Sequence, residues 1–531
     1  MNTARLDRVA LAGTVVALAT LQLCLRPATP VDETRYLSVA WEMWTRGDFL
    51  LPWLNGEPYS HKPPLLFWLI HGLWSLFGVS EVAARLLPVG LSLAALWWSQ
   101  RLSRRLWDDP AVARLVPWLI LGSVFWNNFQ SLLQFDILLA LTALVAWEGV
   151  MVSLRAPLRG GTQLATATAL GLLAKGPVIL VAILPAVLLA PWWAIAQRPS
   201  NWASWYAGCL GALVAAAAMA LAWALPAGLA GGEAYREALL WGQTAGRMVD
   251  AFAHPSPWWS YLWWLPLMCL PWTVWPQLWR ALRRVRCGDQ GTRFCIAVLL
   301  PALLVFTLIS AKQPKYLLPL LPLMAALAAR ALVSANQGRY RTRFVALLLA
   351  ASGILLAALP VLDVGPAWLS QVQPLWGLLL LVAAALSWFP ALQLGAVVRA
   401  AAIAVSVWTA VVSSALLGPA RPVLDVRPVS RVLAQLQAEG HRLAYLGKYH
   451  GQFHFTGRLL QRIAPLASRE AVDAWLSEHP NGYLIVNYKS AAPRLDARVP
   501  VYPYRGGVLV VWPAGELLSD PARLDGLAGN A

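Results

Sequence analysis

Long apolar segments recur through the first 417 residues, and they constrain the fold more than any other feature. A helix that crosses a bilayer needs about 17–25 mostly apolar residues. Only 13% of this chain is charged, whereas a soluble protein carries about 25%. We therefore predict a polytopic α-helical membrane protein with about thirteen transmembrane helices. The predicted spans are about 9–25, 81–100, 112–127, 131–152, 162–174, 177–196, 203–229, 258–279, 294–311, 315–333, 343–361, 372–390 and 395–417.

Arginines, mostly in clusters, mark every second loop between these predicted spans. They follow the second, fourth, sixth, eighth and tenth spans, and loops rich in Lys and Arg stay in the cytoplasm. We therefore place the N-terminus in the cytoplasm and the C-terminal region on the opposite side of the membrane. The net charge of +17 thus reflects topology, and it does not indicate a nucleic-acid partner.

Lysine is rare in this chain and stands mostly where the topology disfavours it. Only six of the 42 basic residues are lysines. The four before residue 420 fall in loops that we place outside: Lys62, Lys175, Lys312 and Lys315. A lysine ammonium binds phosphate as a compact point charge, so we predict these four as phosphate ligands. The alternative is four unrelated side chains that reach for the membrane surface.

The first outer loop, residues 26–80, is predicted to hold two helices that lie at the membrane surface. Apolar residues recur on one face of 34–46, and Gly47 fits the end of that helix. A second apolar run, 65–77, is too short to cross the bilayer. The Asn55-Gly56 pair marks a turn between the two helices.

The same loop concentrates residues that carry chemistry. It holds two adjacent acids, an Arg-Tyr pair and a His-Lys pair in a chain otherwise poor in charge. A carboxylate can serve as a general base or orient an acceptor, and cations can stabilise a phosphate that leaves. We predict that Asp32 and Glu33 are catalytic and that Arg35, Tyr36 and Lys62 bind phosphate on a lipid-borne substrate. A solvated loop is the alternative.

Further polar residues lie toward the outer ends of later segments. Asp136 stands near the outer end of the fourth span, and an acid inside a membrane segment is costly and therefore functional by default. A hydrogen-bonded structural aspartate is the alternative. Arg247 and His254 lie in a later outer loop, and Lys315 and Tyr316 lie at the mouth of the tenth span. We predict that Asp136 is catalytic and that Arg247 and Tyr316 join the lysines as phosphate ligands.

The region from 418 to 531 has a different pattern from the transmembrane domain of residues 1–417. Alternating apolar residues predict strands in LAYLGKY, GYLIVNY and GGVLVVW, and residues 428–438 and 468–478 are predicted helices. We expect a small α/β domain outside the membrane. It shows no recognisable catalytic motif.

The ordered set of motifs resembles the membrane glycosyltransferases of the GT-C fold. It is most similar to the bacterial 4-amino-4-deoxy-L-arabinose lipid A transferases and their relatives among protein O-mannosyltransferases. The resemblance covers roughly the first 330 residues. Its motifs are Asp-Glu-x-Arg-Tyr at 32–36, Asn-Gly at 55–56, Lys-Pro-Pro-Leu at 62–65, Asp136, Lys175-Gly176-Pro177, His254 and Lys315-Tyr316-Leu317.

This resemblance implies a polyprenyl (undecaprenyl) phosphate sugar as the donor and no nucleotide cofactor. It also implies transfer to a lipid A-type or other envelope acceptor at the periplasmic face of the bacterial inner membrane. Asp32 would be the catalytic acid/base. A single displacement would invert the anomeric centre.

One departure from the family concerns a metal ion. His61 stands where the family usually has Glu, which alters a site that could use that carboxylate. If His61 and His254 converge, their imidazoles suit a divalent ion such as zinc. Two unrelated histidines are the alternative.

Two other functions stay open on the sequence. One is transfer of sugar to protein, as in the O-mannosyltransferases. The other is transport of a lipid-linked sugar, because intramembrane acids and kinked spans also mark transport paths. The two halves of the chain show no repeat, and the polar groups gather on one side of the membrane, which argues against a transporter.

Overall fold

The computed structural model describes residues 3–239, 256–335, 338–362, 364–489 and 500–524. Helices dominate up to residue 438, and a small sheet follows. The helices before residue 240 are α1 (Thr3–Leu25), α2 (Asp32–Arg46), α3 (Leu65–Phe77), α4 (Glu81–Trp107), α5 (Pro110–Leu121), α6 (Val124–Phe129), α7 (Phe135–Ser153), α8 (Pro157–Lys175), α9 (Val178–Leu188), α10 (Ala190–Trp193), α11 (Trp202–Ala230) and α12 (Gly232–Glu237).

The second half of the helical region is interrupted more often. Its helices are α13 (Ser260–Met268), α14 (Pro276–Leu282), α15 (Gln290–Leu308), α16 (Leu321–Ser334), α17 (Arg343–Ala358), α18 (Pro374–Trp388) and α19 (Leu394–Leu424). A 3-10 helix, Pro314–Leu320, leads into α16. Two antiparallel pairs of short strands also occur, β1 (Trp53–Leu54) with β2 (Glu57–Pro58), and β3 (Arg339–Arg341) with β4 (Ala391–Gln393).

The apolar helices confirm a multi-pass α-helical membrane protein. Among the described residues, seven segments are long and apolar enough to cross a membrane, by length and composition: Arg5–Leu25, Glu81–Trp107, Phe135–Ser153, Trp202–Ala230, Gln290–Leu308, Pro314–Ser334 and Leu394–Ala438. Every predicted span contains at least one helix. The count of thirteen crossings stays a prediction.

The predicted span at 258–279 is not one continuous helix. It divides into α13, a 3-10 turn at Trp272–Val274 and α14. Pro271 precedes the turn, and Pro276 begins α14. Proline lacks the N–H that a continuing helix needs and clashes with the preceding turn, so the apolar run cannot hold a single helix.

Helices α7 and α8 form a close antiparallel pair. A Cβ atom on Gly160 would lie 2.1 Å from the backbone nitrogen of Ser153, and one on Gly149 would lie 2.8 Å from that of Leu164. Such distances are impossible for a real side chain, so glycine is required where the two backbones meet. The opposite ends of the pair carry Asp136, in the first turn of α7, and Lys175, the last residue of α8.

The C-terminal region is the predicted small α/β domain. Its helices are α20 (Arg427–Ala438), α21 (His454–Gly457), α22 (Arg469–Glu478) and α23 (Ala514–Ser519), and its strands are β5 (Leu443–Leu446), β6 (Ile463–Leu466), β7 (Tyr483–Tyr488), β8 (Val501–Tyr504) and β9 (Gly507–Pro513). The strand order is β6-β5-β7-β9-β8, with β5 parallel to β6 and β7, and β9 antiparallel to β7 and β8. The preceding helix α19 continues to Leu424, past the predicted domain boundary at 417.

Alternation along the strands gives this domain a core on each face of its sheet. Ile485 packs with Leu433 of α20, whereas its neighbour Leu484 packs with Val472 of α22 on the other face. Successive strand residues point to opposite faces, so one short strand supports both layers. Tyr449, in the loop after β5, belongs to the α20 face.

The C-terminal domain is docked on the first outer loop. The Ser38 hydroxyl of α2 is fully buried; it donates to the Gly451 carbonyl at 2.6 Å and accepts from the Phe455 backbone nitrogen at 3.0 Å. Gly451 has a φ of +72°, and a Cβ there would lie 2.3 Å from Leu54 Cδ1. The loop 447–453 is therefore pressed directly against α2 and the β1–β2 turn.

A second set of contacts fixes the same interface from the side of the turn. The Asn55 amide donates to the Ile463 carbonyl at 2.8 Å, and its carbonyl oxygen accepts from the Ile463 nitrogen at 2.9 Å. The Phe455 ring stacks on Trp74 of α3 with centroids 5.5 Å apart. The C-terminal domain thus holds both surface helices that frame the candidate site.

Candidate active site

Helix α2 begins at Asp32 and presents that residue to the ends of the membrane helices. The Asp32 carboxylate pairs with Arg35 on its own helix and accepts from Lys315 Nζ at 3.0 Å, with one third of the side chain exposed. An acid in the first turn of a helix is favoured by the helix dipole. Gly47, with a φ of +66°, ends α2 as predicted. One carboxylate therefore joins the first loop to the 3-10 helix that precedes α16.

The surrounding cations keep Asp32 ionised. Burial would raise the pKa of its carboxyl, but the positive charges of Lys315, Arg35 and Lys62, together with the Lys315 hydrogen bond, outweigh burial and hold this pKa below its ordinary value. Asp32 is consequently a carboxylate, and a weak base, at neutral pH. This state suits electrostatic and orienting roles more than proton abstraction.

Glu33 faces the opposite way. Its carboxylate is 1% exposed, pairs with Arg26 and accepts from the backbone nitrogens of Thr29 at 2.9 Å and Leu133 at 2.8 Å. Consecutive residues of a helix point about 100° apart, so Glu33 faces Arg26 and the start of α7 while Asp32 faces Lys315. The prediction that Glu33 is catalytic disagrees with this placement, which makes Glu33 an anchor of the first loop on the start of α7.

The predicted second acid meets a predicted lysine at the outer ends of α7 and α8. Asp136 and Lys175 form an ion pair in which the side chains are 3% and 9% exposed. The Lys175 ammonium also lies 4.6 Å from the centroid of the Tyr316 ring. Because Tyr316 adjoins Lys315, this pair lies beside the cation that contacts Asp32.

Aromatic residues connect the two acids. The Tyr36 ring meets the Phe135 ring edge-on at 5.0 Å, and Lys62 Nζ lies 5.8 Å from the Phe135 centroid. Phe135 directly precedes Asp136. The fold thus brings together residues from five separate segments that the sequence analysis singled out: Asp32, Arg35, Tyr36, Lys62, Asp136, Lys175, Lys315 and Tyr316.

The remaining predicted residues do not join this cluster. The Lys312 side chain is buried, and its ammonium donates to the carbonyls of Ile309 at 2.6 Å and Ser256 at 3.2 Å. Both partners are backbone oxygens, so Lys312 supports the end of α15 instead of offering a phosphate ligand. Arg247 and His254 lie outside the described residues.

Of the two predicted metal ligands, His61 and His254, only His61 lies within the described residues. The His61 ring lies 5.2 Å from the Tyr59 ring. The residues that the structure describes contain no group of three His, Cys, Asp or Glu side chains that could hold a metal ion. A metal site would need His254 or other ligands beyond them, and the divalent ion therefore stays a prediction.

The site also contains residues that the sequence analysis missed. His450 lies in the docked loop 447–453, close enough to α2 for the charges of Arg35 and Asp32 to act on its ring. Burial lowers the pKa of His450, and the positive charges of Arg35, Lys448 and Arg505 lower it further, to about 4. Lys448 is one of only six lysines in the chain. The rarity of lysine, which singled out the four before residue 420, could also have pointed to Lys448.

The chain as a whole is similar to several known proteins. No family model matches the chain. The chain is 32% identical over 311 residues to the undecaprenyl phosphate-alpha-4-amino-4-deoxy-L-arabinose arabinosyl transferase of Pseudomonas aeruginosa, a match that covers 57% of this chain and 55% of the relative. It is 30% identical over 351 residues to the protein of the same name from Pseudomonas savastanoi pv. phaseolicola, covering 62% of this chain and 61% of the relative. The chain thus spans less than two thirds of the length of these curated relatives.

Solved structures extend the likeness over the whole fold. The crystal structure of ArnT from Cupriavidus metallidurans bound to undecaprenyl phosphate gives a TM-score of 0.71 at 19% identity, covering 98% of this chain and 99% of that chain. Its apo structure gives 0.73 at 20% identity, covering 97% and 99%. The resemblance predicted from the motifs is confirmed: this chain has the GT-C fold of ArnT, and its sequence is similar to those of bacterial arabinosyl transferases.

Proposed function

We propose that the protein is a membrane glycosyltransferase that moves a sugar from a polyprenyl phosphate to a lipid A-type or other envelope acceptor. The relatives named above are arabinosyl transferases that use undecaprenyl phosphate, and the solved ArnT binds undecaprenyl phosphate. The same donor chemistry fits the cations gathered in this chain.

The observation that carries the proposal is the position of Asp32 between cations at the ends of membrane helices. Its carboxylate contacts Lys315 and Arg35 and lies within the electrostatic reach of Lys62. A lipid-anchored phosphate would meet these groups where the bilayer ends. A carboxylate beside several cations can then face both the sugar and the group that leaves.

The proposed reaction is a single displacement. The acceptor oxygen attacks the anomeric carbon, the bond from that carbon to the donor phosphate breaks, and its electron pair leaves on the phosphate. Lys62, Lys315 and Lys175 would stabilise the charge that develops there. Attack from the side opposite the leaving group inverts the anomeric centre.

Asp32 is proposed to orient the acceptor and to stabilise the partial positive charge on the sugar. Its lowered pKa makes it a poor proton acceptor, which matters little if the attacking oxygen belongs to a phosphate that is already ionised. The acidity of Asp32 thus favours a phosphate acceptor over a hydroxyl. The buried Asp136–Lys175 pair would keep the Lys175 ammonium aimed at the leaving group.

We further propose that the site faces the periplasm from the inner membrane. The arginine clusters after alternate spans support a cytoplasmic N-terminus. Arg101 and Arg105 pair with the fully buried Glu148 near the end of α7 opposite Asp136, and this places a basic cluster far from the candidate site. The C-terminal domain would then lie in the periplasm.

The test is transfer by purified protein from a polyprenyl-phosphate sugar to a phosphorylated glycolipid, with Asp32→Asn as the variant. We expect turnover to fall by at least about 10²-fold, as it does when a group that stabilises a transition state is removed. Asp473→Asn is the matched control, because Asp473 is an exposed acid on α22 that pairs only locally with Arg469.

Three outcomes would contradict the proposal. Full turnover in Asp32→Asn would remove that residue from the reaction. Transfer to a protein in preference to a glycolipid would favour the O-mannosyltransferase alternative. Movement of an intact lipid-linked sugar across vesicle membranes, without transfer, would favour a transporter.

A further inference from the structure

Cations approach Asp32 from two sides. On the membrane side, Lys315 precedes α16, Lys175 ends α8 and Lys62 lies over Phe135. On the other side, the loop that carries Lys448 and His450 is pressed against α2 at Ser38, and the turn that carries Arg505 bonds to the end of α19. The charges of Lys448, Arg505, Arg35 and Asp32 all act on the His450 ring. We call Lys448 and Arg505 the outer cation pair. The mechanism described so far uses only the membrane side.

The backbone around the outer cation pair is fixed by contacts with the membrane domain. Lys448 lies three residues before Gly451, whose carbonyl is bound by the buried Ser38 hydroxyl. Arg505 lies in the turn between β8 and β9, with a φ of +54°, and its nitrogen donates to the Val423 carbonyl of α19 at 2.8 Å. Both loops are therefore held in place before any substrate arrives.

The outer cation pair is available to an anion from outside. Both side chains are exposed, and His450 is partly exposed. Across the described residues, neither Lys448 nor Arg505 forms an ion pair with a carboxylate. On the membrane side, by contrast, Lys175 pairs with Asp136 and Lys315 pairs with Asp32. Two exposed cations without an acidic partner, on loops docked near the helix that carries Asp32, suit an anionic ligand.

We propose that Lys448 and Arg505, together with the His450 ring, form a binding site for a phosphate monoester on the acceptor. This inference rests on the proposed function and assigns the acceptor to the side of Asp32 opposite the donor phosphate. The C-terminal domain is then part of the active site and determines which acceptors bind.

The location of the pair favours the acceptor over the donor. The donor phosphate is tied to a polyprenyl chain in the bilayer and meets cations at the helix ends. The outer cation pair stands on the domain beyond the membrane, where a head group that extends into water would arrive. His450 is neutral at pH 7, because its pKa lies at about 4, so it can offer a hydrogen bond without adding charge.

The experiment measures acceptor and donor KM for the wild type, Lys448→Ala, Arg505→Ala and the double variant. Losing one charged hydrogen bond should raise the KM for a phosphorylated glycolipid about tenfold, with the donor KM unchanged. Lys448→Arg should retain part of the affinity. For a dephosphorylated acceptor, the KM should be high in the wild type and equally high in every variant.

The control is Arg469→Ala, which removes the same charge from α22. That helix packs on the face of the sheet opposite Tyr449 and the docked loop. Native mass spectrometry with the acceptor glycolipid alone gives a second measurement that needs no turnover. Binding should weaken in the two outer variants and stay at wild-type level in the control.

Each other outcome has a distinct meaning. A rise in donor KM with an unchanged acceptor KM would overturn the inference and assign the pair to the donor. Wild-type constants in the double variant would also overturn it. If the wild type transfers no sugar but the variants still lose acceptor binding, the proposed function fails and the anion site stands.

Discussion

The hydroxyl of Ser38 offers a sharp test of how the C-terminal domain is attached. Ser38→Ala removes one buried donor and one buried acceptor, since the side chain is fully buried and bonds to Gly451 at 2.6 Å and Phe455 at 3.0 Å. The Gly451 carbonyl keeps a bond from the His454 nitrogen at 3.3 Å. The Phe455 nitrogen loses its acceptor.

These contacts set the size of the effect. Losing an ordinary hydrogen bond costs about 0.5–1.5 kcal/mol, and leaving a buried N–H unsatisfied costs about 1–3 kcal/mol. Because the two losses overlap, we expect the local docking free energy to fall by about 2–3 kcal/mol. Each 1.4 kcal/mol changes an equilibrium about tenfold, so opening of this interface should become about thirty- to a hundred-and-fortyfold more frequent.

Hydrogen–deuterium exchange of the purified protein measures this opening directly. Amides between Gly451 and Gly457 should exchange faster by that factor in Ser38→Ala, while amides of α22, on the far face of the sheet, keep their rates. Ser75→Ala is the matched control, because that hydroxyl is exposed on α3 and bonds only to the Gly72 carbonyl of its own helix. Unchanged exchange at Gly451–Gly457 would show that the Ser38 contacts do not hold the domain.

Three further predictions concern charge, acidity and metal. Lys175→Met should destabilise the protein by about 3–5 kcal/mol, because it leaves the buried Asp136 carboxylate without its ion pair; thermal unfolding in detergent should show it, and adding Asp136→Asn should restore part of the loss, whereas no recovery would argue against the pair. The stability of the C-terminal domain should fall as the pH drops from about 6.5 toward about 4, since the folded state lowers the pKa of His450 from 6.5 to about 4 and the unfolded chain binds the proton first. Thermal unfolding at several pH values should show a smaller fall in His450→Gln than in the wild type, and identical curves would contradict it. Chelation should abolish turnover if His61 binds a divalent ion, with metal content checked in His61→Ala; full turnover after verified metal removal would exclude a catalytic ion.

Local patterns in the sequence predict the elements around the site well. Gly47 ends α2 with a positive φ, Asn55 also adopts a positive φ in the predicted turn, and the predicted strands of the C-terminal domain all form. Each of these features depends on residues only a few positions apart. The motifs at Asp32, Lys62, Lys175 and Lys315 also predict a shared site, because the family resemblance supplies the long-range pairing that local rules lack.

Local patterns cannot predict contacts between segments that are distant in the sequence. Ser38 and Gly451 are 413 positions apart, and no local pattern links a small α/β domain to a helix at the start of the chain. The placement of Glu33 also depends on more than its position next to Asp32. In a helix, neighbours diverge, and Glu33 turns to Arg26 while Asp32 turns to Lys315.

The glycine crossing of α7 and α8 has a mechanical consequence for the site. The two helices are clasped at Gly160 and Ser153, about 25 Å along α7 from Asp136 at a rise of about 1.5 Å per residue. Because this crossing lies at one end of the pair, a rotation of about 10° about it would separate the helix ends at Asp136 and Lys175 by about 4 Å. A cavity of about 670 Å³ lies beside this pair, lined by Leu138 and Val145 of α7 and by Gln163 and Leu170 of α8. A molecule bound in this cavity would contact the two helices between their glycine crossing and the Asp136–Lys175 pair, away from the proposed substrate site.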